Sequence, residues 1–394
     1  MKEAITNSGK SYSVHSTAGC TVSDDSGWSK ELAAPEDYFT AHGGKVYLSD
    51  DSASMKELFK LAPIAFGGGG KPGWYDVLRS ELAELLGAGN FSLTYAWVED
   101  KFTLTLALPL DITDDQMAQV RVLLGSIPPR NLVTEIDEMP IGFSRLSWLQ
   151  NPGNAYINTG LRMSSEYEVE AEVDYTEYHT GQNALMMTNW DVDNYSCYNL
   201  ILVNNNMMRF DYGNTILNQY IGSQEGAGKK WLISTSKNKI TLKVPELSLS
   251  KTWTTNESTF TAEDNAYLFG LKTSWPFNGR FLSMRGAESG VPRFEFIPAF
   301  DEASGTPCLF DKVCRKMFYN VGSGQFIAGC ETQKQLDAVL RGLPDRTGQD
   351  GGELHLCLSD ALYESAVASG IIETTATAKN WQIAYDPSTI TDAA

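Results

Sequence analysis

Arg293-Phe-Glu-Phe-Ile-Pro-Ala-Phe-Asp-Glu-Ala-Ser-Gly-Thr-Pro-Cys-Leu-Phe-Asp-Lys-Val-Cys-Arg-Lys-Met-Phe-Tyr-Asn-Val-Gly-Ser-Gly-Gln-Phe-Ile-Ala-Gly329 alternates short apolar runs with turn residues. That is the pattern of the last strands of an all-β sandwich. Phe294, Phe296, Leu309, Phe310, Phe318 and Phe326 read as core, while Gly322 and Gly324 turn the chain. Gly322-Ser-Gly324 is a hairpin-type turn and not a nucleophile elbow, because Gly-x-Ser-x-Gly is not met.

Upstream, Leu146-Ser-Trp-Leu-Gln-Asn-Pro-Gly-Asn-Ala-Tyr-Ile-Asn-Thr-Gly160 opens a run of strand patterns. They fall at Tyr167–Tyr175, Tyr198–Val203, Met207–Tyr212, Lys239–Val244, Tyr267–Leu271 and Arg280–Arg285, the last introduced by Asn278-Gly279. Opening, middle and closing motifs, in this order, resemble those of laminin-G/concanavalin-A-like jelly-roll domains of gut bacterial and phage surface proteins. The resemblance covers residues 140–330. It implies an antiparallel β-sandwich that binds sugars or surface ligands and seldom does chemistry. Many members of that superfamily bind calcium.

The flanks read differently. Residues 1–66 form a small β-rich segment, with a strand at Gly44–Ser49 and a short amphipathic segment from Ser52 to Leu61. Gly67-Gly-Gly-Gly-Lys-Pro72 is a linker, since a phosphate loop needs Gly-Lys-Ser/Thr opening a helix. Residues 73–139 follow an α-β-β-α-β pattern, with Thr113-Asp-Asp-Gln116 as a capping box. The segment around Ile127-Pro-Pro-Arg-Asn-Leu132 is similar to the C-terminal part of phage tail baseplate-edge proteins, which implies an anchor. Residues 331–394 are a small α/β tail resembling a degenerate leucine-rich-repeat unit. The fold class expected is multidomain and mainly β: a laminin-G/concanavalin A-like jelly-roll sandwich flanked by small α+β domains.

The chain has 394 residues and a formal charge of −18. Without a lysine or arginine run it suits neither nucleic acid nor an anionic membrane. Met1–Lys10 has no apolar run of a signal peptide, and no stretch is long enough to span a bilayer. Cys20, Cys197, Cys308, Cys314, Cys330 and Cys357 never form Cys-x-x-Cys and read as free thiols. Spacing leaves open a pairing of Cys308 with Cys314.

Chemistry has few candidates. Glu166-Tyr-Glu-Val-Glu-Ala-Glu-Val-Asp174 places Glu166, Glu168, Glu170, Glu172 and Asp174 on one strand face. Glu170, Glu172 and Asp174 have the i, i+2, i+4 spacing of some jelly-roll glycoside hydrolases. Their order, Glu-x-Glu-x-Asp, departs from those enzymes' patterns, and no tryptophan lies beside them. A solvent-facing acidic strand is therefore the expectation. Asp191 and Asp193 offer oxygens at alternate positions for calcium. Aromatic residues in or beside the predicted loops are the stronger signal, because ring faces stack on sugars and amides bond hydroxyls. Trp190, Tyr195, Tyr198, Tyr212 and Trp275 are the expected ligand-binding set, and Trp253 also lies near a predicted loop.

These readings combine into an expected non-enzymatic tail attachment protein of a phage or prophage. Its lectin-like domain would bind a host-surface glycan, and it would assemble with tail or baseplate proteins, as a homo-trimer by family analogy. It would be built in the host cytoplasm and act on the virion tail. The alternatives are a jelly-roll glycoside hydrolase using Glu170, Glu172 and Asp174, and an exported bacterial adhesin. Neither nucleic acid nor membrane insertion is expected.

Overall fold

A computed structural model describes residues 2–6, 11–33, 36–58, 73–98, 101–128, 132–174, 183–189, 196–203, 207–220, 229–256, 258–271, 274–277 and 279–387. The expected linker Gly67–Pro72 lies outside them. Contacts divide the chain into two units, 1–141 and 142–394.

The first unit holds two separate cores. One packs a four-stranded and a three-stranded antiparallel sheet around Tyr12, Val14, Val22, Phe39, Val46 and Leu48. Ser54–Leu58 is a strand there, paired with Ser11–His15. The other core belongs to a helix, a hairpin, a second helix and a strand, at Gly73–Leu86, Ser92–Val98, Lys101–Ala107, Asp114–Ser126 and Val133–Ile136. Leu78, Leu82 and Leu86 recur at helical spacing and are buried with Leu104 and Leu106. The Thr113 side chain accepts from the Gln116 amide while Gln116 reaches back to Thr113, so the capping box fixes where the second helix starts.

The second unit is a mainly antiparallel β-sandwich. Its six-stranded sheet runs in the order Ile157–Asn158, Tyr267–Leu268, Asn183–Met187, Cys197–Val203, Met207–Gly213, Thr215–Tyr220. The larger sheet has at its centre the acidic strand Tyr167–Asp174, flanked by Lys230–Ser236 and Arg280–Glu288. Alternation sets the core. Tyr167, Val169, Ala171, Val173, Trp231, Ile233 and Phe281 meet Leu185, Tyr198, Leu200, Met208, Phe210 and Tyr212 from the facing sheet. Each such large apolar side chain contributes roughly 2–3 kcal/mol by leaving water.

The closing stretch forms a meander because it repeats one turn. Phe300-Asp301 and Phe310-Asp311 each begin a four-residue reversal, pairing Asp301 with Thr306 and Asp311 with Lys316. Each aspartate accepts from its own turn: Asp301 Oδ1 from the Ala303 amide at 2.9 Å, Asp311 Oδ1 from the Val313 amide at 2.9 Å. Each turn ends left-handed, at Gly305 (φ 72°) and Arg315 (φ 51°).

The three motifs of the sequence are neighbours in space. The short strand Trp148–Gln150 pairs on one side with Arg280–Glu288 and on the other with Ile327–Gly329. The two loops beside it are stitched together. Tyr156 N–H donates to Asn320 Oδ1 at 2.9 Å, and Val321 N–H to the Tyr156 carbonyl at 2.9 Å. Gly322 fits only because it lacks a side chain, since a Cβ there would come 2.0 Å from the Asn154 carbonyl oxygen.

No break falls at the boundary expected at residue 330. Ile327–Gly329 pairs in parallel with Gly352–Leu358, which pairs in parallel with Trp381–Pro387. Leu336, Val339, Leu340, Leu354 and Leu356 of the tail belong to the sandwich core itself. The tail also holds a π turn, Ile372–Ala376, followed by a 3-10 turn, Thr377–Lys379. All six cysteines are free. Cys308 is buried in its strand beside Met317, and Cys314 turns to Asp311 instead.

Gly322→Ala is expected to destabilise this unit by about 1–3 kcal/mol, the cost of forcing atoms into a packed contact. Gly351→Ala meets nothing closer than 3.5 Å and is the control. Thermal unfolding of both variants is the measurement, and equal midpoints would refute the loop interlock.

Candidate functional site

The acidic strand is ion-paired along its outer face. Glu168 accepts from Ser236 Oγ at 2.9 Å, Arg285 Nε donates to Glu170 at 2.7 Å, and Lys230 Nζ lies 3.2 Å from Glu172. A depression of about 350 Å³ beside Glu170 and Glu172 is also lined by Lys243, Ser283 and Glu295. The strand is thus the expected solvent-facing one, with its charges matched by neighbouring strands.

Asp174 departs from the expected acidic face. It has the same parity as the glutamates, yet it is only 4% exposed. Trp148, Ile327, Cys357 and Leu282 pack together beside its partner Arg280, which touches Trp148 and Cys357. Asp174 Oδ2 lies 3.6 Å from Arg280 Nη1, and neither of its carboxylate oxygens has a hydrogen-bond partner among the described residues. Burial pushes its pKa up to about 6; Arg280 pulls it back and Glu246 adds to the rise. Arg280 is held over the Trp148 ring at 4.7 Å and donates from Nη2 to Cys357 Sγ at 3.4 Å. The i, i+2, i+4 carboxylates therefore do not act as one exposed set.

Two of the expected ligand-binding residues are core residues, which corrects the sequence reading. Tyr198 is 0% exposed, its hydroxyl bonded to Thr235 of the facing sheet, and burial raises its pKa far above the ordinary phenol range. Tyr212 is buried as well and donates to the Ser165 carbonyl at 2.9 Å. Each hydroxyl serves as a polar tie inside the sandwich. Trp253 lies in the strand Leu249–Thr254 and packs against the core. Trp190, Asp191, Asp193 and Tyr195 lie outside the described residues. No three His, Cys, Asp or Glu side chains converge as a metal group among the described residues, and no helix there is long and apolar enough to cross a membrane.

Trp275 is the expected residue that reaches the surface. Leu271 and Ser274 exchange two backbone hydrogen bonds, and Trp275 follows with φ 58°. That left-handed conformation is costly for a bulky residue and tends to mark functional turns. The Trp275 carbonyl accepts from the Ala184 amide at 3.1 Å, and the side chain packs on Ala184, Met187 and Ile201. Trp275 therefore stands on the outer face of the six-stranded sheet, opposite the core.

The same face carries polar residues that sequence reading passed over. In Met207–Gly213, Met208, Phe210 and Tyr212 point inward, which turns Arg209 and Asp211 outward. The Arg209 guanidinium carbon lies 6.0 Å from the Trp275 ring centroid, and its Nε donates to Asp211 Oδ1 at 2.7 Å. Asn199 Nδ2 donates to Asp211 Oδ2 at 2.8 Å and to the Asn189 carbonyl at 2.6 Å. Burial raises the pKa of Asp211, against the pull of Arg209 and Asn199. Asp211 thus holds Arg209 through Nε, beside the Trp275 ring. The edge strand Thr215–Tyr220 completes the face: Asn218 lies opposite Arg209 in register, with Ile216 and Tyr220 exposed at 43% and 61%. A flat ring, a fixed guanidinium, an amide and a second ring are what bonding a polyhydroxylated ligand requires. The signal was legible in one place, the period-2 alternation of Met207–Tyr212.

No family profile and no curated protein matches the chain. Among solved structures, it is similar to mouse laminin α1 domains LG4-5, at 10% identity and TM-score 0.30, over 73% of this chain and 86% of that one. It is similar to the CBM40 of the Ruminococcus gnavus IT-sialidase bound to α2,3 sialyllactose, at 14% identity and TM-score 0.26, over 36% and 88%. It is also similar to a heptameric SAP-like pentraxin of Limulus polyphemus, at 7% identity and TM-score 0.24, over 36% and 74%.

The raised pKa of Asp174 makes a pH prediction. Between about pH 4 and 6 the folded chain binds more protons than the unfolded one, so this residue's share of stability falls as pH rises through that window. The full cost, about 3 kcal/mol at most, is present above it. Urea unfolding at pH 4 and pH 7 is expected to show a smaller pH-dependent loss in Asp174→Asn than in wild type, and parallel losses would sink the assignment.

Proposed function

We propose that the chain is a non-enzymatic attachment protein whose sandwich binds a glycan on the outer face of the six-stranded sheet. The observation that carries this is Trp275, held at φ 58° beside an Arg209 that buried Asp211 orients. The ring offers a stacking face, and Arg209 and Asn218 offer donors to hydroxyl oxygens. The likeness of the opening, middle and closing motifs to lectin-like jelly-roll domains supports the same reading. The pairing of Glu170 with Arg285 and of Glu172 with Lys230, with Asp174 buried, favours binding over glycoside cleavage.

The finer reading is a phage or prophage tail component acting on the virion, with a host-surface glycan as its ligand. Residues 73–139 would dock on tail or baseplate proteins, and the assembly would be a homo-trimer. Its support is the sequence resemblance of those residues to baseplate-edge proteins. Copurification of the chain with virions tests it, and absence from purified particles would reject it.

For the glycan reading, a glycan array or whole-cell binding assay is expected to show wild-type binding. Trp275→Ala and Tyr220→Ala should each weaken it by about tenfold, equivalent to 1.4 kcal/mol. Tyr220 is exposed, so its loss leaves the core intact. Undiminished binding by both variants would reject this face as the site.

A further inference from the structure

The second unit carries another concave surface, built from different residues. A cleft of about 310 Å³ opens where the turn Ser304–Pro307, the closing loop and the tail meet, with Arg346, Glu353, Gln325 and Trp381 in its lining. We propose that this cleft is a second saccharide subsite, selective for a sugar carboxylate such as a hexuronate residue. The proposal does not depend on the outer-face reading.

The cleft has a rigid floor. Trp381 is 5% exposed and donates from Nε1 to the Pro344 carbonyl at 2.8 Å. It fits against two glycines: a Cβ would come 2.3 Å from its ring at Gly305 and 2.5 Å at Gly352. Arg346 lies over this ring, its guanidinium carbon 4.7 Å from the centroid. The backbone of Arg346 is held on both sides, donating to the Lys379 carbonyl at 3.0 Å and accepting from the Gln349 amide at 3.0 Å.

The guanidinium rests on the ring, yet among the described residues no carboxylate pairs with it and none of its N–H groups donates a hydrogen bond. The nearby cation, Lys379, is spent on the carbonyls of Arg341 and Leu343, at 2.7 Å each. A planar guanidinium held on a ring loses little freedom when it takes a carboxylate through two parallel hydrogen bonds. Glu353 on the same rim is exposed and faces His355 at 3.4 Å. Glu353 repels a bare anion, but it accepts hydroxyl hydrogens. A ligand with one carboxylate and several hydroxyls satisfies Arg346 and Glu353 together. A small carboxylate alone satisfies only Arg346, and a neutral sugar only Glu353 and Gln325.

Saturation-transfer NMR on the full chain tests this with glucuronate, glucose and acetate as probes. Wild type is expected to bind glucuronate at least tenfold more tightly than glucose or acetate, and Arg346→Gln to lose about tenfold in glucuronate affinity. Gln325→Ala, an exposed rim change outside the core, should weaken glucuronate severalfold with an unchanged melting temperature. Trp275→Ala should leave glucuronate binding intact, so failure of the outer-face site and failure of the cleft are separable. Absence of glucuronate binding, equal binding by Arg346→Gln and wild type, or equal affinity for acetate would each overturn the proposal.

Discussion

The packing of one tryptophan holds the second unit together. Trp148 stands in a three-residue strand with Arg280 over its ring at 4.7 Å and Gly329 against it, where a Cβ would come within 2.1 Å. One residue from each of the opening, middle and closing motifs meets there. The larger sheet is continuous only through this strand, since Arg280–Glu288 lies on one side and Ile327–Gly329 on the other. The two parallel tail strands join the sheet through that crossing, and the tail adds contacts of its own, with Trp381 against Gly305 and its leucines in the sandwich core. The crossing also explains why the tail shares the sandwich core instead of folding as a separate body.

Two arginine–carboxylate pairs in the sandwich, each with a buried carboxylate, show what burial does to charge. Arg209 and Asp211 meet at 2.7 Å with Asn199 completing the carboxylate, so the guanidinium has one orientation. Arg280 and Asp174 stay at 3.6 Å without a hydrogen bond to the carboxylate, so the attraction does not offset the lost hydration and the proton affinity of Asp174 rises. The first arrangement suits holding a ligand-facing group still. The second makes the joint beneath Trp148 sensitive to pH.

Much of the fold was legible. The Phe-Asp repeat at 300 and 310 fixed two reversals, and the alternation of Tyr167–Val173 assigned the core face of the central strand. The candidate site was less legible. Tyr198 and Tyr212 stand at the ends of the strand patterns Tyr198–Val203 and Met207–Tyr212, and that place beside predicted loops suggested ligand contact. Alternation would have grouped Tyr212 with Met208 and Phe210, and Tyr198 with Leu200, on the inner face. Arg209 and Asp211 were passed over because charged residues on a strand usually mean solvent.

The sequence by itself determined the strand periods and the Asp-capped turns, because these depend on local sterics and on side chains reaching their own backbone. Only the tertiary structure decided which outward residues are wet. Asp174 and Glu172 share a strand face, yet Asp174 is buried beside Arg280, which packs on Trp148 and Cys357 from elsewhere in the chain, while Glu172 stays in water. Trp275 likewise gains its meaning from Arg209, 66 residues earlier in the numbering but 6.0 Å from its ring in space. Burial and electrostatic pairing are set by non-local neighbours, and the pattern along one strand carries no record of them.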